Sequence, residues 1–133
     1  MKYRKLHNWK YELMSYDWCF VDIAGRIDTK YINLFQGELT IYKYYAWDGA
    51  SGPTIDDKTN MRASLFHDAL YQLMREGHLD KSYRKYADQL FRQMCLEAGM
   101  GKFRAWYYYT SVRVLGGGSL NKRNYPDSEI ITI

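Results

Sequence analysis

A chain of 133 residues is long enough to bury a real core and short enough to be one domain. Its aromatic fraction is high at 17%, led by 14 tyrosines, and its net charge is only +4, from Lys and Arg that never cluster into a long run; beyond that mild positive balance nothing supports nucleic-acid binding, so no nucleic acid is expected as a partner. No apolar stretch approaches a membrane span, the opening MKYRKLHNWKYELM has no secretory pattern, and the two cysteines, Cys19 and Cys95, are far apart and form no C-x-x-C pair, so a thiolate zinc site is not expected.

The expected fold class is α+β, a small N-terminal antiparallel sheet of about three strands followed by three helices. One domain spans 1–133, with a strand region at 1–47, a loop at 48–59, a helical core at 60–118 and a tail at 119–133. WKYELMSYDWCFVDI, RIDTKYINLF and GELTIYKYYAW read as strands, rich in aromatics and loosely alternating. Asp22 to Gly25 can turn the first, and Gln36-Gly37 suits a hairpin between the other two. The strand from Glu38 to Trp47 has apolar residues on both faces, which suits a central position.

The stretch DGASGP, Asp48 to Pro53, ends the sheet in a loop. Asp56, Asp57 or Thr59 can cap the first helix, about Asn60 to Arg75, whose inward set is Leu65, Phe66, Ala69, Leu70 and Leu73. Gly77 fits a left-handed C-cap. A second helix runs from Lys81 to Ala98, with Tyr83, Ala87, Leu90, Phe91, Met94 and Cys95 inward and Cys95 a buried free thiol. Gly99 and Gly101 break it. A third helix, Lys102 to Leu115, carries FRAWYYYTSVRV, and Gly116-Gly117-Gly118 ends it. Its aromatic stripe has two readings: packing on a sheet, which is the preferred one, or a seat at a lipid interface. The tail is polar and ends in ITI.

Candidate chemistry falls on the first two helices. His67 and Tyr71 are four apart and share a face; Asp68 lies about 100° round. If the second helix folds back antiparallel, Asp88 meets the imidazole. The plain reading is a structural histidine with Asp68 a surface charge. Asp88, between Ala87 and Leu90-Phe91, needs a partner if buried, and His67, Tyr71 and Arg84 are candidates. His7 and His78 read as solvated. In the functional reading a His–Asp pair deprotonates a water, with Asp88 fixing the tautomer. Asp68 can help hold a hard cation, but one carboxylate is too few for Ca²⁺, and the glycine loop upstream could add carbonyls.

The set WDGASG, His67-Asp68-Ala-Leu-Tyr71 and Ala87-Asp88-Gln-Leu-Phe91 resembles the phospholipase A2 superfamily, most of all the compact, disulfide-free form in parvovirus capsid proteins. That resemblance covers about a third of the chain, Trp47 to Phe91. It implies an antiparallel phospholipase A2-like hairpin in which His67 activates water, Asp88 bonds its other nitrogen and Tyr71 supports Asp88. It further implies that Asp68 binds Ca²⁺ with the carbonyls of Trp47, Gly49 and Ser51. Ser51 stands where phospholipases have a second glycine, and Asp48 could add a carboxylate ligand or cap the turn.

The wider pattern, D-G-A-S-x-P, H-D-x-L-Y, A-D-x-L-F and a final Y-x-x-V-R, is similar to an uncharacterised family of tailed bacteriophages and prophages. The resemblances together imply a phage-encoded, Ca²⁺-dependent hydrolase of phospholipid esters. Its partners would be a phospholipid surface or phage structural proteins. It would be made in the host bacterial cytoplasm and could be packaged in the virion. The alternative is a non-catalytic virion or interaction module that keeps the hairpin as scaffold. A metal phosphohydrolase of the HD type needs further histidines that His7 and His78 do not supply.

Overall fold

The structure is a computed structural model that describes residues 1–7, 10–49 and 56–120. It is α+β, with strands preceding helices, and the chain divides into two compact units, Met1–Ala50 and Ser51–Ile133. The tail beyond Leu120 lies outside the described residues, as does the loop from Ala50 to Ile55.

Among the described residues the first unit holds seven short strands in two antiparallel sheets, where one sheet of about three strands was expected. Strands β1 (Tyr3–Lys5), β2 (Tyr11–Leu13) and β7 (Ala46–Trp47) form a sheet in the order β1-β2-β7. Strands β3 (Asp17–Phe20), β4 (Arg26–Asp28), β5 (Ile32–Phe35) and β6 (Glu38–Ile41) form the other, in the order β3-β6-β5-β4. Each long strand pattern is in fact interrupted once. Thr29 closes a turn on Ile32 through both backbone and hydroxyl, and Tyr44 adopts a positive φ of 78°. These local bonds compete with continued pairing and split one expected strand into two.

The β5–β6 hairpin forms at Gln36-Gly37 as expected. Both central residues have positive φ, 49° and 80°, the backbone that matches the twist of the flanking strands. Strand β6 is central. Its register pairs Leu39 with Leu34 and Cys19, and Ile41 with Ile32 and Asp17, so Leu39, Leu34, Ile41 and Ile32 share one buried face. Thr40, Asn33, Trp18, Glu38, Phe35 and Phe20 fall on the other.

The second unit is helical: α1 (Met61–Arg75), a 3₁₀ turn at Lys81–Tyr83 running into α2 (Arg84–Glu97), and α3 (Lys102–Ser119). Asp57 nucleates α1 from outside it. Its carboxylate accepts from the backbone N–H and hydroxyl of Thr59 at 2.8 and 2.5 Å, and its carbonyl accepts from the N–H groups of Asn60 and Met61. Asn60, not one of the three expected residues, occupies the N-cap position.

Both helix ends of the hairpin close in the same way. Gly77, φ 81°, donates to Met74 while His78 donates to Leu73; Gly99, φ 102°, donates to Leu96 while Met100 donates to Cys95. These paired bonds satisfy carbonyls that the helix leaves orphaned, and glycine takes the left-handed backbone without steric cost. The unit's core is Leu65, Phe66, Ala69, Leu70, Leu73 and Met74 of α1 with Ala87, Phe91, Met94 and Cys95 of α2 and Ala105, Tyr108 and Val112 of α3.

Two expectations fail in α3. The glycine triplet does not end it; the helix continues to Ser119. And the aromatic stripe is largely outward, with Phe103, Trp106 and Tyr107 exposed.

Candidate active site

The second unit places one ionisable cluster in its interior. Contacts along the helices fix their directions: His67 meets Asp88 and, one turn on, Tyr71 meets Arg84 one turn back, so α1 and α2 run antiparallel. Arg84 and Asp88 both reach residue 113, and Arg92 lies over the ring of Tyr109, which makes α3 antiparallel to α2.

Asp88 has no solvent exposure. Its Oδ1 lies 2.7 Å from Nε2 of His67 and accepts a 2.7 Å bond from the hydroxyl of Tyr71; its Oδ2 accepts a 2.8 Å bond from Nη1 of Arg113. Arg84 completes the shell. Its Nε donates to the Tyr71 hydroxyl at 3.2 Å, and its Nη2 donates to the carbonyls of Val112 and Arg113. The imidazole is sandwiched in aromatic contacts, with its centroid 4.3 Å from the Tyr71 ring and 5.2 Å from that of Phe91.

The electrostatics follow from these distances. Burial pushes Asp88 up, but the bonds from His67, Tyr71 and Arg113 and the charge of His67 together outweigh it and hold the carboxyl below its ordinary value. Burial first, then the carboxylate of Asp88, push the Tyr71 phenol well above its ordinary value, so it stays a donor. An ionised carboxylate can only accept, so Nε2 of His67 carries a proton. In the neutral ring the basic lone pair then sits on Nδ1, and the pair is built to hold one tautomer.

The remaining expected site residues are placed as follows. Asp68 is half-buried on α1, one residue round from His67. Trp47 ends β7 and is buried among the rings of Tyr3 and Tyr11, Asp48 is exposed, and Gly49 is buried with a φ of 84°, the turn geometry that favours glycine. Ser51 lies outside the described residues. Among the described residues no three or more of His, Cys, Asp and Glu converge as a metal site. Asp68 is the carboxylate nearest in sequence to the dyad, so the oxygens that Ca²⁺ needs would have to come largely from backbone carbonyls. His7 is exposed and His78 half-exposed, 3.9 Å from Glu76. Neither joins the cluster.

Reasoning from residue types missed Arg113 as a partner of Asp88. The signal was present in Y-x-x-V-R, whose arginine falls one turn before the glycines. Those glycines are the reason α3 can close on the site. A Cβ on Gly116 would lie 2.5 Å from the Tyr71 hydroxyl, and one on Gly117 would touch the Arg84 guanidinium at 3.5 Å. Gly116 and Gly117 serve close packing and do not stop the helix.

A family model described as protein of unknown function (DUF1353) matches residues 26–112. No curated protein and no solved structure matches the chain.

Proposed function

We propose that the chain, which belongs to this family of proteins of unknown function, is a phage-encoded hydrolase that cleaves phospholipid esters with a His–Asp dyad. The observation that carries the reading is the 2.7 Å approach of Nε2 of His67 to a fully buried, ionised Asp88, which leaves Nδ1 as the base. In this reading Nδ1 takes a proton from water as that water attacks the ester carbonyl, and Asp88 steadies the imidazolium that forms. Tyr71 and Arg113 hold Asp88 in place. Ca²⁺ is the proposed cofactor, with Asp68 its side-chain ligand; when bound, it supplies the electrophile for the developing oxyanion. Phage origin, synthesis in the host cytoplasm and packaging in the virion are inferred from the D-G-A-S-x-P, H-D-x-L-Y and A-D-x-L-F patterns.

The test is fatty-acid release from phospholipid vesicles with Ca²⁺. Release should stop on chelation and fall by about 10²–10⁴-fold in His67→Ala. Release that survives this substitution unchanged removes the catalytic assignment.

One observation favours a second reading, a virion or interaction module that keeps the cluster as scaffold. Both oxygens of Asp88 are already satisfied and His67 is only 6% exposed, which is what a structural polar network requires. That reading expects no hydrolysis, no stabilisation by Ca²⁺ and a stable partner in the particle.

A further inference from the structure

The solvent face of α3 has a composition that surface helices rarely show. At about 100° per residue, Phe103, Trp106, Tyr107, Thr110 and Val114 fall within one strip. Phe103 is 78% exposed and Val114 74%, with Trp106 and Tyr107 also open. No charged residue interrupts the strip, whereas an ordinary surface helix turns charged residues outward. All of α3 contains three cations, Lys102, Arg104 and Arg113, and no acidic residue. Arg104 and Arg113 are paired with Asp57 and Asp88, and with no acidic residue of its own the helix adds no negative charge toward an approaching surface.

We infer that this face of α3 docks on an anionic phospholipid surface, lying flat at headgroup depth. Three arguments select lipid. Trp and Tyr rings combine an apolar body with a polar tip, which a headgroup boundary satisfies at both ends. Five side chains on one helix present a strip of at most a few hundred Å², below the roughly 800 Å² per partner of a stable protein interface. The basic balance of the whole chain, +4, complements anionic headgroups. No described helix is long and apolar enough to cross a membrane, so the mode is surface attachment.

This inference deepens the hydrolase reading by naming how the protein meets its substrate, and it is tested without turnover. The full chain, and its His67→Ala variant, are sedimented in chelator with vesicles of phosphatidylcholine alone and with added phosphatidylglycerol. Both proteins should bind the anionic vesicles. Trp106 emission should shift to the blue, assigned by the difference from Trp106→Phe. The pair Phe103→Glu and Val114→Glu should weaken partitioning about tenfold or more; Phe103→Ser with Val114→Ser carries the same test should the charged pair misfold. Binding left unchanged by these substitutions overturns the inference, as does failure to bind vesicles. A dimer that the same substitutions dissolve, with no vesicle binding, overturns it in favour of a second copy of the chain. Vesicle binding without ester hydrolysis sinks the hydrolase reading alone, and hydrolysis of dispersed short-chain phospholipid without vesicle binding sinks the α3 face alone.

Discussion

A carboxylate with no exposure is costly unless donors surround it, and the cost falls on whichever donor is left facing the wrong atom. Asp88 shows the geometry in full: two donors on Oδ1 and one on Oδ2. In Asp88→Asn the new amide N–H groups must point either at Arg113 or at His67 and Tyr71. The first opposes amide donors to the guanidinium, the second forces the imidazole into its other tautomer, and both leave Arg113 without its anion. Asp88→Asn is therefore expected to lose about 3 kcal/mol in urea unfolding. Arg113→Gln should lose less, about 1–2 kcal/mol, because its side chain is about one-third exposed and water can replace it on one side. Equal losses in the two variants would mean that Oδ1 and Oδ2 are not held as differently as the bonds indicate.

At the scale of elements, periodicity located every helix, because the inward sets of α1 and α2 repeat at helical spacing and glycine at φ above zero closes both. The His67–Asp88–Tyr71 contact was equally legible, since an antiparallel hairpin brings those positions into register. What periodicity could not show was how α3 is turned. Its low contrast between faces hides which side is inward, and a glycine triplet carries one local meaning, helix end, and another set only by tertiary packing. Strand interruptions at Thr29 and Tyr44 were hidden for a related reason: they depend on side-chain and turn bonds that leave the apolar pattern intact. The packing meaning of the glycines is directly testable. Gly116→Ala places a methyl 2.5 Å from a Tyr71 hydroxyl that cannot step aside, being held by Asp88 and Arg84 in a buried ring. A loss of about 1–3 kcal/mol is expected. Gly118→Ala meets nothing within 4 Å and should gain about 0.5 kcal/mol from helix propensity. In a Tyr71→Phe background the Gly116→Ala penalty should shrink by about 1 kcal/mol, read as a coupling energy in a double-mutant cycle. Two alanines of the same sign would instead make the triplet a simple weak helix end.

For the whole molecule, three carboxyls set the acid limit of stability. Asp57 is held below its ordinary 3.8, slight burial being outweighed by bonds from Thr59 and Arg104; Asp80 by the N–H of Ser82; and Asp88 by the donors that overcome its burial. A carboxyl whose folded pKa is depressed stabilises the fold above its unfolded value and loses that contribution as pH falls through the folded one. Stability should thus hold steady down to roughly pH 5 and fall below about pH 4. At the other limit burial pushes the Cys95 thiol up to about 12. A group raised in this way contributes fully below its unfolded value and fails as pH rises toward the folded one, so a second decline should begin above about pH 9. The two parts of the acid limb separate by salt. Asp57 and Arg104 are each more than one-third exposed and their pair is screened, whereas Asp88 is sealed from the solvent. Urea melts across pH should therefore show an acid decline that high salt reduces only in part and that Asp88→Asn flattens. An acid decline abolished by salt alone would place the titrating groups on the surface and mean that the donors around Asp88 do not depress its carboxyl, and without a carboxylate held in that way neither the fixed tautomer of His67 nor the base at Nδ1 would stand.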